Sequence, residues 1–155
     1  MKNFRSLYCL IAFTIITGLV GLHLKSNSLV KPSTKFTGYQ VLQLQLQSLK
    51  NNSKLGNDRG IEQVYMFAHP ENKKITGPIK KFKKMIKSDA YSIFLDHNES
   101  KVGLVHQDQI HEIYLVKVTK NSSSRNFLWT LITYIDDNKN SFWYTVNVVS
   151  YEYKV

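Results

Sequence analysis

The stretch that decides the fold is residues 60–95, GIEQVYMFAHPENKKITGPIKKFKKMIKSDAYSIFL. Two apolar patterns of helical spacing stand on either side of a turn punctuated by proline and glycine. In the first, Ile61, Val64 and Phe67 recur on one side of a helix predicted over 59–68, with Asp58 as its N-cap and Pro70 marking its exit. In the second, Ile79, Phe82, Met85 and Ile86 fall on one stripe; Thr76 is placed to cap this helix and Pro78 to occupy its first turn, where a missing N–H costs nothing. The opposite face is nearly all lysine: Lys80, Lys81, Lys83, Lys84 and Lys87.

Working outward, residues 39–50, YQVLQLQLQSLK, carry two patterns at once. Leu42, Leu44 and Leu46 alternate as in a strand, whereas Val41, Leu42, Leu46 and Leu49 line one helical face, and glutamine and leucine both favour a helix. A helix is the reading, ended by a loop at 51–58. Downstream the period changes to alternation, with strands predicted over 101–107, 111–119, 126–135 and 142–153, joined by the polar turns NSSS (121–124) and DDNKN (136–140). Three helices before a four-stranded antiparallel meander make an α+β domain with the helices on one face of the sheet. Phe127, Trp129, Leu131 and Ile135 alternate with Leu128, Ile132 and Tyr134, so the second face is apolar as well and wants cover, from a homodimer through this outer face or from strong curvature or the membrane tether.

The chain resembles a domain-of-unknown-function family with the cone-shaped, nuclear-transport-factor-two-like (SnoaL-like) fold, found in cyanobacteria, other bacteria and plants. The likeness rests on Gly60, Ile61, Phe67, Ala68, Pro70, Asn72 and Lys73, on the triplet Thr76, Gly77 and Pro78, on Phe82, Met85 and Tyr91, and on Trp143 and Thr145. It covers residues 39–155. His69 departs from it, since the resemblance implies a small residue such as serine there. What the resemblance implies is a curved sheet wrapped around helices into a cone with an inner cavity, frequently dimeric through the outer face of the sheet. It implies no activity, because this fold carries isomerases, dehydratases, cyclases and non-catalytic modules alike.

Ahead of the domain, residues 7–24, LYCLIAFTIITGLVGLHL, run eighteen positions without a charge behind Lys2 and Arg5. At roughly 1.5 Å per residue a helix of this length just crosses a hydrocarbon core. No small-x-small cleavage site follows, so the reading is a single-pass N-terminal anchor in the lipid bilayer, N-terminus inside, in preference to a cleaved signal peptide. The organisation is thus an anchor at 1–24, a polar tether at 25–38 and the α+β domain at 39–155. Cys9, the single cysteine, sits in this apolar run behind bulky Leu7 and Tyr8, which argues against lipidation.

The net charge of +10 raises polyanions as partners. Arginine, the better fork for phosphates and base edges, occurs only at Arg5, Arg59 and Arg125, which argues against nucleic acid. Seven lysines between residues 73 and 87 without one acidic residue make the face of Lys80, Lys81, Lys83, Lys84 and Lys87 a candidate surface for anionic headgroups or an acidic partner protein. Asn72, Lys73, Thr76 and Gly77, opening onto a helix start, form a candidate anion site. Asp96, His97, His106, Asp108, His111 and Glu112 are the acid–base candidates an enzyme would need, but DHNES (96–100) and QDQ (107–109) read as solvated turns, and no spacing supports a metal site or a cofactor. The functional expectation is a membrane-tethered, non-enzymatic binding or scaffold module for a partner protein or a small apolar ligand, with an isomerase- or dehydratase-like enzyme as the alternative.

Overall fold

The computed structural model describes residues 28–152. The expected anchor at 7–24 lies outside the described residues. Packing begins ahead of residue 39, because Val30 and Phe36 already lie against the core. Helix α1 (Gly38–Lys50) opens on a capping box: the Thr37 hydroxyl accepts from the Gln40 amide while the Gln40 side chain accepts from the Thr37 amide. Val41, Leu42, Leu46 and Leu49 are buried as the helical reading requires, and Leu44 and Gln45 are buried too.

The expected loop at 51–58 contains a short helix, α2 (Asn52–Leu55). Its start is capped from far along the chain, since the Asp96 carboxylate accepts from the Ser53 amide at 2.8 Å and from its hydroxyl at 2.6 Å. Helix α3 (Arg59–Met66) stops short of residue 68. Asp58 stands at its N-cap in the left-handed region but makes no capping bond; its carboxylate pairs instead with Lys87 at 2.8 Å. Gly60 is where α3 crosses α1, and a Cβ there would run into the Ser48 carbonyl and the Asn52 side chain.

Two expectations at the Pro- and Gly-rich turn are corrected. Pro70 does not end a helix; it begins α4 (Pro70–Thr76), because a proline at the first position gives up no donor and His69 Nδ1 accepts from the Glu71 amide. Thr76 does not cap the next helix. It is the last residue of α4, its hydroxyl donating to the Asn72 carbonyl at 2.9 Å. Gly77, at φ 78°, then reverses the chain in a conformation that side chains resist, and Pro78 takes the N-cap position of α5 (Ile79–Ile86), outside its first turn. In place of the three expected helices there are five among the described residues, followed by a 3-10 turn at Ser92–Phe94.

Strands β1 (Glu99–Gln107), β2 (His111–Lys120), β3 (Ser123–Ile135) and β4 (Ser141–Tyr151) form one antiparallel sheet in the order β1-β2-β3-β4, the expected meander. The NSSS turn is tighter than expected, since β3 already begins at Ser123. Tyr114, Val116, Val118, Phe127, Trp129 and Leu131 face the helices and are buried. Helix α1 lies against β3 and β4, and α3 lies against α1 and α5. On the outer face the row Leu115–Leu128–Val149 remains partly open, with Val149 41% exposed.

We expect Gly60→Ala to destabilise the full-length chain by about 1–3 kcal/mol, the range for overpacking a close backbone crossing. Urea denaturation in detergent measures it, and an unchanged midpoint would show that α1 and α3 do not approach this closely.

Candidate functional site

The site is built around Thr145. Strand β4 is an edge strand, and its Thr130–Asn147 and Leu131–Thr145 pairings leave Val146 as the extra residue of a bulge. At the bulge the free edge of Thr145 is taken up by the α3–α4 connection. Its N–H donates to the Phe67 carbonyl and its carbonyl accepts from the His69 N–H, both at 2.8 Å, an isolated parallel bridge between Ala68 and Thr145. The side chain is equally occupied: Thr145 Oγ1 accepts from Trp129 Nε1 at 2.9 Å and donates to Gln45 Oε1 at 2.9 Å. All three side chains are buried, and Gln45 Nε2 has no hydrogen-bond partner among the described residues.

Beside this node the helices stand off from the sheet around a cavity of about 290 Å³. Phe94 and Trp129 form its deep end, their rings meeting edge to face with centroids 5.6 Å apart. Val64, Phe82, Met85 and Ile86 supply the helical wall, and Val146 and Val148 the strand wall. Ile75 and Asn72 of α4 stand at the cavity, Ile75 being 87% exposed. The Tyr91 hydroxyl donates to the Val148 carbonyl at 3.1 Å and ties the turn after α5 to β4. The lining holds no Asp, Glu, His, Lys or Arg; its polar members are Asn72, Thr76, Tyr91, Thr145 and Asn147. Such a surface can hold an uncharged apolar molecule.

The expected acid–base residues are scattered over other tasks. Asp96 caps α2. Buried His97 donates from Nδ1 to the Phe94 carbonyl at 2.7 Å, leaving Nε2 without a partner among the described residues. His106, Asp108 and His111 do come together, with His106 Nε2 3.2 Å and His111 Nδ1 3.1 Å from Asp108 Oδ2, but on the exposed β1–β2 turn. Backbone N–H groups of Ile110 and His111 hold the Asp108 carboxyl well below the usual carboxylate range. Glu112 is buried elsewhere, accepting from the Tyr114 hydroxyl at 2.7 Å and lying against Gly38 at the start of α1, where the helix dipole favours a carboxylate. Burial and Glu112 together push the Tyr114 hydroxyl far up. No group of three or more His, Cys, Asp or Glu among the described residues is arranged to hold a metal ion.

The expected anion site is also placed differently. Asn72, Lys73 and Thr76 lie within α4, and Gly77 is both the C-cap of α4 and the residue before Pro78, the N-cap of α5. Lys73 reaches back over the Tyr65 ring, 5.1 Å from its centroid, and burial lowers the pKa of its ammonium. His69, the departure from the expected serine, does serine's work: its ring nitrogen caps α4, while the ring packs edge-on against Tyr134 and Tyr144. The cavity residues Val146 and Val148 and the partner Gln45 carry no signal of their own in the sequence; Leu49 is marked only as part of an apolar helical face, and Thr145 only by the family resemblance.

No family model, curated protein or solved structure matches this chain.

Burial pulls the His97 imidazole below its ordinary 6.5, and burial shifts His69 the same way. The unfolded chain therefore binds more protons than the folded one just below that value, and stability falls as the pH drops from about 7 toward 5. In His97→Gln the loss of unfolding free energy between these two pH values should be smaller than in the parent. Urea titrations at both pH values measure it; an equal loss would show that His97 protonates without cost in the fold.

Proposed function

We propose that the protein is a membrane-tethered, non-enzymatic binding module whose cavity takes a small, uncharged, apolar ligand, and that its α+β body is a SnoaL-like cone of the family it resembles. The observation that carries the reading is the cavity wall: Phe, Trp, Met and aliphatic side chains with only neutral polar groups among them. At the ~30 Å³ that a water-sized atom group occupies in a liquid, the volume suits a ligand of roughly ten heavy atoms. An isomerase- or dehydratase-like enzyme would need an acid or base at this wall; Asp96, the His106–Asp108–His111 group and Glu112 are engaged at α2, the β1–β2 turn and the start of α1, and His97 bonds the Phe94 carbonyl without lining the cavity. The tether rests on residues 7–24, because among the described residues no helix is long and apolar enough to cross a membrane.

Bromobenzene, a neutral heavy-atom quencher, serves as the probe. Added to the full-length chain in lipid nanodiscs, it should quench Trp129 fluorescence saturably, and Val146→Phe or Met85→Phe, each filling the cavity, should abolish the saturable part with the circular dichroism unchanged. Linear, identical quenching in parent and variants would contradict the reading, as would turnover of a small carbonyl compound by the parent alone.

A further inference from the structure

The lysine face of α5 is only partly neutralised. Lys83 pairs with Glu62 at 2.7 Å and Lys87 with Asp58 at 2.8 Å, both across the seam with α3. These pairs, with Phe82 and Ile86 buried, fix the roll of α5. Lys80 and Lys84, one turn apart, and Lys81, whose stem lies along Gly77, meet no acidic side chain among the described residues. Lys80, Lys83, Lys84 and Lys87 border a shallow surface groove that also includes Ile79.

The path of the chain places this face. The Val30 N–H donates to Gln63 Oε1 and its carbonyl accepts from Gln63 Nε2, both at 2.8 Å. Gln63 follows Glu62 in α3, about 100° further round the helix, so the incoming chain and α5 meet α3 on neighbouring faces. Only residues 25–29 separate Val30 from the apolar run ending at Leu24, six steps along the chain and a reach of at most about 22 Å. A headgroup layer takes up about 5–7 Å of that. When the tether is fully stretched the remainder is about twice the Debye length of ~8 Å at physiological salt, and any slack in it brings the domain within the range over which surface charges act. Lys101 and Lys117, paired across β1 and β2, lie instead on the outer face of the sheet, since Lys117 alternates with the inward-facing Val116 and Val118.

We propose that Lys80, Lys81 and Lys84 dock the domain on the anionic headgroups of the bilayer that holds its own anchor, so that the domain lies against the membrane with the outer face of its sheet turned away. This rests on the reading of residues 7–24 as that anchor. Three lysines at about fivefold each favour the docked arrangement by about a hundredfold over neutral lipid at low salt.

The test is amine-acylation footprinting of the full-length chain in vesicles of phosphatidylcholine alone and of phosphatidylcholine mixed with phosphatidylglycerol. Lys80, Lys81 and Lys84 should label at least several-fold more slowly in the mixed vesicles, recover in high salt, and leave Lys101 and Lys117 unchanged. Equal labelling in both lipids by a chain that floats with the vesicles overturns the docking and leaves the anchor standing. A chain that fails to float with either vesicle overturns both. Protection by an added acidic polypeptide but not by lipid assigns the face to a protein partner and overturns the proposal.

Discussion

The structure depends on one threonine serving two layers at once. An edge strand presents unpaired N–H and C=O groups, and β4 satisfies those of Thr145 by bonding them to the α3–α4 connection. The same residue's hydroxyl joins Trp129 of the sheet to Gln45 of α1. Helices and sheet are thus locked together by polar bonds at one point inside an apolar core, where a missing partner costs about 1–3 kcal/mol. Beyond that point α4 and α5 need not press on the sheet, and the space beneath them becomes the cavity. The bulge at Val146 belongs to the same arrangement, since it lets Thr145 and Val148 both face inward although they are three residues apart.

Much of the architecture was legible because it is written in local pattern. The stripe of Ile79, Phe82 and Ile86, the alternation of Phe127, Trp129 and Leu131, and the four-strand meander follow from spacing alone. In residues 39–50 the two patterns overlapped because both faces of α1 are covered, which is why Leu44 and Gln45 are buried beside the expected stripe. Helix α4 was missed for a physical reason: it buries none of its residues, so no apolar stripe marks it, and its cap is a histidine. Helix α2 was missed because its cap comes from Asp96, more than forty positions away.

The site was far less legible. A cavity arises where segments distant in sequence fail to touch, and neither Leu49 nor Val148 carries any sign of facing it. Of the ionisable residues that stand out in the sequence, Asp96 caps α2, His106, Asp108 and His111 order the β1–β2 turn, Glu112 meets the start of α1, and His97 bonds the Phe94 carbonyl. What recognition chemistry remains is of two kinds at two places, an uncharged recess between helices and β4 and the cationic face of α5. The first suits a molecule drawn from apolar surroundings and the second a negatively charged surface, and a domain held against lipid would meet both.

Amide hydrogen exchange at Thr145 and His69 in the full-length protein tests the central claim most directly. If the node holds helices to sheet, both amides exchange only through global unfolding, with protection equal to that of Val116 and Trp129 in the middle of the sheet. Exchange at Thr145 and His69 as fast as in the exposed part of β1 around Val105 would mean that the α3–α4 connection is not fastened to β4, and that the cavity has no fixed wall.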